Sequence, residues 1–181
     1  MAYNVHAGHT KTGTIGSGAK SLLDESVENR KIVKEMVRIL KEKKKLVYDC
    51  TNDKASSERD NLVKIVNACN RHEVKIDVSV HLNSGAKDLK GNGKSCGFEV
   101  WVCPGGKTVK KTVAKKMCKN MEELGFTNRG IKTSENLYVL NHTNNPAVLV
   151  EVCFVDDKDD YKLYQKVGYK KIAKALVDAM L

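Results

Sequence analysis

The sequence predicts a single α/β domain built on a largely parallel sheet, and three observations carry that expectation. Short apolar runs alternate with longer stretches of helical periodicity along the whole chain, the signature of strand–helix–strand units. The chain has 181 residues and is 41% hydrophobic, enough for one well-buried core. It holds only two prolines and shows no repeat, low-complexity tract or linker that would divide it.

Tyr3 to Ala7 reads as a first strand that runs into a loop rich in Gly and Thr, Gly8 to Gly18. Ser21 and Asp24 look like a capping pair for the helix that follows, in which Ile32, Val33, Met36, Val37 and Leu40 recur at helical spacing. Leu46 to Cys50 is the next strand, and Ser57 to His72 the next helix, with Leu62, Ile65, Val66 and Cys69 on one face. From Val74 to His81, apolar residues alternate at Val74, Ile76, Val78 and Val80, which predicts a strand. A polar, Gly-rich loop from Asn83 to Ser95 leads to a strand at Phe98 to Val102. Val109, Val113, Met117, Met121 and Leu124 mark a long helix that stops near Gly125. Leu137 to Leu140 and Val148 to Val155 read as two more strands, and Gly168 to Leu181 as a closing amphipathic helix.

Composition narrows the functional classes. A net charge of +10 attracts polyanions by long-range steering, and nucleic acid, anionic lipid and an anionic cell wall all qualify. The lysines are scattered over expected helices, as solvated faces are. Only 6% of residues are aromatic and no basic segment is interleaved with stacking rings, so nucleic acid is not the expected partner. No run of about 18 apolar residues exists, so no membrane insertion is expected. The first residues lack the basic and apolar blocks of a signal peptide. The six cysteines, none in a C-x-x-C pair, read as reduced thiols, and monomer is the default state.

Four residues stand out as chemistry. His9 follows the first strand and enters the glycine-rich loop, Glu25 opens a helix, His81 ends an alternating strand, and Glu151 interrupts an otherwise apolar run from Ala147 to Val155. All four fall where strands and loops are expected to meet, the usual place for sites in open α/β sheets. Two imidazoles and a carboxylate form a ligand set that catalytic zinc uses, and a further carboxylate nearby can take a water's proton. An ionised glutamate inside a core strand is costly unless it is paired or faces a site. Alternatives stay open on this reading: His6 rivals His9, and Asp24 or Glu28 could stand for Glu25. Asn29, one helical turn from Glu25, could orient its carboxylate. Glu99, also mid-strand, reads as facing solvent.

The chain resembles the zinc-dependent N-acetylmuramoyl-L-alanine amidases of the Amidase_3 type, found in bacterial autolysins and phage endolysins. The resembling segments are Ala7-Gly8-His9, Glu25 with Asn29, Ser79-Val80-His81-Leu82-Asn83, Gly97-Phe98-Glu99-Val100, Asn128-Arg129-Gly130-Ile131-Lys132 and Pro146 to Phe154. They occur in the family's order across nearly the whole chain. The resemblance implies Zn2+ held by His9, Glu25 and His81, with Glu151 as the catalytic carboxylate. It implies a twisted, six-stranded mixed sheet flanked by helices on both faces, with residues 1–181 as the catalytic domain. The implied substrate is bacterial peptidoglycan, cut at the amide between N-acetylmuramic acid and L-alanine. Asn83 and Arg129 are the expected substrate-binding residues, and the loops Thr10 to Lys20 and Ser84 to Ser95 the expected walls of the groove. The family often has Asp three residues before its first ligand; here His6 stands there, among the residues around His9. With no wall-binding module in view, the chain reads as the catalytic part of a longer lysin, made in the cytoplasm and acting on the wall after release. The rivals are a zinc carboxypeptidase or other peptidase that grips a terminal carboxylate with Arg129, and a non-enzymatic basic domain that binds polyanions.

Overall fold

A computed structural model of the chain describes residues 1–105 and 108–181. The elements are β1 (Ala2–Ala7), α1 (Glu25–Glu42), β2 (Leu46–Asp49), α2 (Glu58–Cys69), β3 (Asp77–Asn83), β4 (Phe98–Val102), α3 (Thr108–Glu123), β5 (Asn128–Thr133), α4 (Tyr138–His142), β6 (Ala147–Phe154), α5 (Lys158–Val167) and α6 (Tyr169–Met180). The six strands form one sheet in the order β2-β1-β3-β6-β4-β5. All neighbouring pairs are parallel except β4 with β6. This is the mixed, mostly parallel sheet expected of the chain.

Side chains alternate along a strand, so each strand divides its residues between the two faces. Val78, Val80 and Leu82 of β3, with Val148, Val150 and Val152 of β6, join the larger core, into which α1, α3 and α6 send Ile32, Met36, Leu40, Met117, Met121, Ile172 and Leu176. The other face carries Leu149 and Trp101 with α2 and α4, which contribute Ile65, Val66, Cys69, Val139 and Leu140 to a smaller cluster. Helices therefore cover both faces, but unequally. All six cysteines are free. Among the described residues, no helix is long and apolar enough to cross a membrane.

Four expectations change. Leu137 to Leu140 is not a strand: Tyr138–His142 forms the short helix α4. A four-residue apolar run has no readable period, and its residues pack beside α2 and β6. The sixth strand is instead Asn128–Thr133, an edge strand of exposed and half-buried residues without apolar alternation. The α1 cap is Asp24 alone, whose side chain accepts from the Val27 N–H. Glu99 does not face solvent; it is 3% exposed.

Candidate metal centre and cleft

Register places the polar side chains. His6 of β1 lies opposite Ser79 of β3, which lies opposite Leu149 of β6. Two residues further along, His81 lies opposite Glu151, and Glu151 opposite Glu99 of β4. Neither His81 nor Glu151 is at a strand terminus, as the sequence had suggested; both are interior positions of β3 and β6. The opening arises because β1 stops at Ala7, level with Val80, so His81 emerges beside the end of its shorter neighbour.

His9 and Glu25 reach the same point from outside the sheet. His9 has a backbone φ of 62°, in the left-handed region that non-glycine residues seldom adopt. Two hydrogen bonds hold the turn: Asn29 Nδ2 donates to the Gly8 carbonyl and an Arg30 guanidinium nitrogen to the His9 carbonyl. Asn29 thus steadies the His9 turn rather than the Glu25 carboxylate. Glu25, at the first position of α1, receives the Ala19 N–H on Oε2 and the Leu82 N–H on Oε1.

The ligand atoms of His9, Glu25 and His81 all lie within 4.8 Å of one another. His81 Nδ1 is 3.0 Å and His9 Nε2 3.4 Å from Glu25 Oε1. Ligands of a tetrahedral zinc at 2.0–2.2 Å stand about 3.4 Å apart, so the donors fit such an ion. Glycines keep the cradle open. A Cβ on Gly8 would lie 2.0 Å from the His81 ring, and one on Gly18, at φ +78°, would lie 2.6 Å from Glu25 Oε2. Burial opposes ionisation of Glu25, but the two imidazoles overcome this and hold its carboxyl well below the usual range. Burial likewise works against a charged His9, yet the hydrogen bond and charge of Glu25, helped by Glu58, raise its pKa.

Glu151 shows the reverse. Burial, then the charges of Glu25 and Glu99, push its pKa well above the ordinary value, and its Oε2 is buried without a hydrogen-bond partner. Beside it, Glu99 gathers three donors: Asn83 Nδ2, Trp101 Nε1 and Arg129 Nε. Asn83 and Arg129 are thereby tied to one carboxylate. His6 is 1% exposed with Nδ1 unpartnered, and burial followed by the charge of His81 brings its pKa down to about 3.

A cleft of about 440 Å³ opens over this group. His6, His9, His81 and Glu151 line its floor, and the first half of α2 with Asn136–Val139 forms its walls. Among the described residues, neither of the two loops expected as groove walls contributes to this lining. The α4 wall was hidden from sequence because Leu137 to Leu140 was read as a strand, whereas α2 was expected as a helix.

Three mutually close donors that could hold a metal ion stand beside the buried Glu151 carboxylate, an arrangement whose chemistry suits hydrolysis. The family itself is defined by the comparison with known proteins: the chain belongs to the Amidase_3 family of N-acetylmuramoyl-L-alanine amidases, whose model matches residues 4–181. It is 30% identical to an uncharacterized protein of Clostridium perfringens strain 13, over 99% of this chain and 51% of that protein. It is 28% identical to the endolysin of Bacillus phage SPP1, over 85% of this chain and 55% of the endolysin. The catalytic domain of the CD27L endolysin targeting Clostridia Difficile has the same fold, with a TM-score of 0.85 at 24% identity over 99% of this chain and 96% of that one. The chain spans about half the length of the curated relatives it matches.

Proposed function

We propose that the chain is a zinc-dependent N-acetylmuramoyl-L-alanine amidase. It hydrolyses the amide between the lactyl group of N-acetylmuramic acid and L-alanine in peptidoglycan, acting as a monomer. The observation that carries this is the convergence of His9, Glu25 and His81 from three separate elements beside the unpartnered Glu151 carboxylate, within a chain of this family. That one relative is named an endolysin supports action on the wall after release from the cell that makes it.

His9, Glu25 and His81 hold the ion, and zinc, when bound, supplies Lewis acidity that polarises a carbonyl and acidifies water. Glu151 takes the proton of the attacking water on Oε2 and passes it to the leaving amine of L-alanine. The raised proton affinity of Glu151 suits it to both halves of that transfer. Glu99 sets the charge beside Glu151 from the antiparallel neighbour. Ala19 and Leu82 orient Glu25 through their N–H groups, as outer partners of metal ligands do.

The experiment is Glu151→Gln, with hydrolysis of an N-acetylmuramoyl peptide followed by the appearance of new L-alanine amino termini. The expected loss is about 10²–10⁴-fold with the zinc content retained. Wild-type rates in the variant, or a wild-type product lacking L-alanine termini, would refute the proposal. Release of D-alanine alone would point to the peptidase.

A further inference from the structure

We propose that Arg59, stacked on Tyr138, forms a carboxylate-binding subsite in the wall of the cleft and reads a free carboxylate on the peptide portion of the substrate. This rests on the amidase reading and adds a specificity element to it.

Charge inside the cleft is the starting point. Glu151 and Glu58 line it, and Glu25 stands beside it, with Oε1 3.4 Å from His9 Nε2 and 3.0 Å from His81 Nδ1. On the cleft wall, away from the proposed ion, a carboxylate brought in by a peptide meets Glu58 and needs a cation beside it. Among the described residues, Arg59 is the one Lys or Arg side chain in the cleft lining.

Arg59 is also uncommitted. Arg30 is paired with Asp53, Arg38 with Glu35 and Glu42, and Arg129 with Glu99. Arg59 has no ion pair among the described residues; its guanidinium carbon sits 4.1 Å over the Tyr138 ring. Arg129, the cation that sequence offered for gripping a carboxylate, is bound through Nε to Glu99 and lies outside the cleft lining.

The tyrosine is held in turn. The His142 ring stacks on Tyr138 at 3.8 Å, and at these separations Arg59 and His142 must occupy opposite faces. His142 Nδ1 lies 2.9 Å from the Tyr138 carbonyl, one helical turn back. A stacked guanidinium has lost much of its rotamer freedom before binding, and its planar fork matches a carboxylate in bidentate geometry. Arg59 and Tyr138 therefore present a preorganised anion grip in the cleft that holds Glu151.

The test uses two N-acetylmuramoyl peptides, identical except that one glutamyl carboxylate is free in the first and amidated in the second. Zinc-loaded wild type and Arg59→Ala are compared on both. The wild type is expected to prefer the free acid. Arg59→Ala is expected to lose about tenfold or more in kcat/KM on it, carried by KM, so that the preference disappears. Arg59→Lys should recover part of it, and Tyr138→Leu should weaken it. Equal losses on both peptides, or no loss on either, would overturn the proposal. So would an effect confined to inhibition by N-acetylmuramic acid, which would assign the cation to the lactyl carboxylate of the product. If neither peptide is hydrolysed by wild type, the amidase reading fails by itself, and calorimetric titration of the two peptides into wild type and Arg59→Ala still decides the subsite.

Discussion

One face of the sheet is packed by α1, α3 and α6 and carries Val78, Val80, Val148 and Val150, all fully buried. The other face draws on the same strands but carries Asn4, His6, Asp77, Ser79, His81 and Glu151, and α2 and α4 cover it only in part. The hydrogen-bonding record of the two faces differs accordingly. Of the seven buried side-chain atoms without a partner among the described residues, five belong to Asn4, His6, Asp77, Ser79 and Glu151. Unpartnered buried polar groups cost stability. The molecule concentrates that cost on the face where the proposed chemistry lies, and the apolar face offsets it. Local consistency is broken where function is expected and kept elsewhere.

This comparison can be broken by exchanging what each face loses. Phe98 and Glu99 are adjacent in β4 but serve opposite faces. Phe98→Ala should cost about 3–5 kcal/mol in denaturant unfolding while leaving the activity of the folded fraction close to normal. A large loss of specific activity at full folding would show that the faces are not separable.

Gly8→Ala is the opposite case, because its Cβ would meet the His81 ring. Displacing one ligand by an ångström is expected to lower hydrolysis by about 10²-fold and to weaken zinc retention, measured by metal analysis after dialysis. Retained metal and rate would mean that the cradle has slack.

The smallest effect sharpens the claim that the polar face is costly. Burial pushes the pKa of Asp77 up to about 6 against the opposing hydrogen bonds of Asn4, Asn145 and Cys69. A folded pKa above the unfolded value means that the native state binds the extra proton between about pH 4 and 6. Stability from this group is therefore full below that window and is lost as pH rises through it. Asp77→Asn should match wild type near pH 4 and exceed it by on the order of 3 kcal/mol above pH 6, read by urea unfolding at the two pH values. Equal stability at both would remove Asp77 from the cost of this face.

Much of the apolar face was legible in the chain. Alternation in Val74 to His81 and the 3.6-residue spacing of Ile32 to Leu40 report burial directly. The candidate site residues could be picked out because each was out of character for its segment, as Glu151 is in an apolar strand. Their convergence could not, since it depends on strand order and register, and there the family resemblance supplied what periodicity lacked. β5 was missed as a strand because an edge strand need not alternate. Glu99 was misread because alternation says only that it turns away from one core; on the second face Trp101 of its own strand joins Asn83 and Arg129 from two other strands around it. The pairing of Arg59 with Tyr138 was invisible for a related reason: the two residues lie 79 positions apart in the chain, on α2 and α4.

The opposition of His81 and Glu151 across β3 and β6 has a further consequence. Their backbones stand one inter-strand step apart, about 4.8 Å, a distance that the peptide ladder sets and no loop does. Changes in the length of surface connections leave that spacing untouched. Loops other than Gly8 to Gly18 can therefore change without moving this pair, whereas a single-residue insertion within either strand would detune it at once.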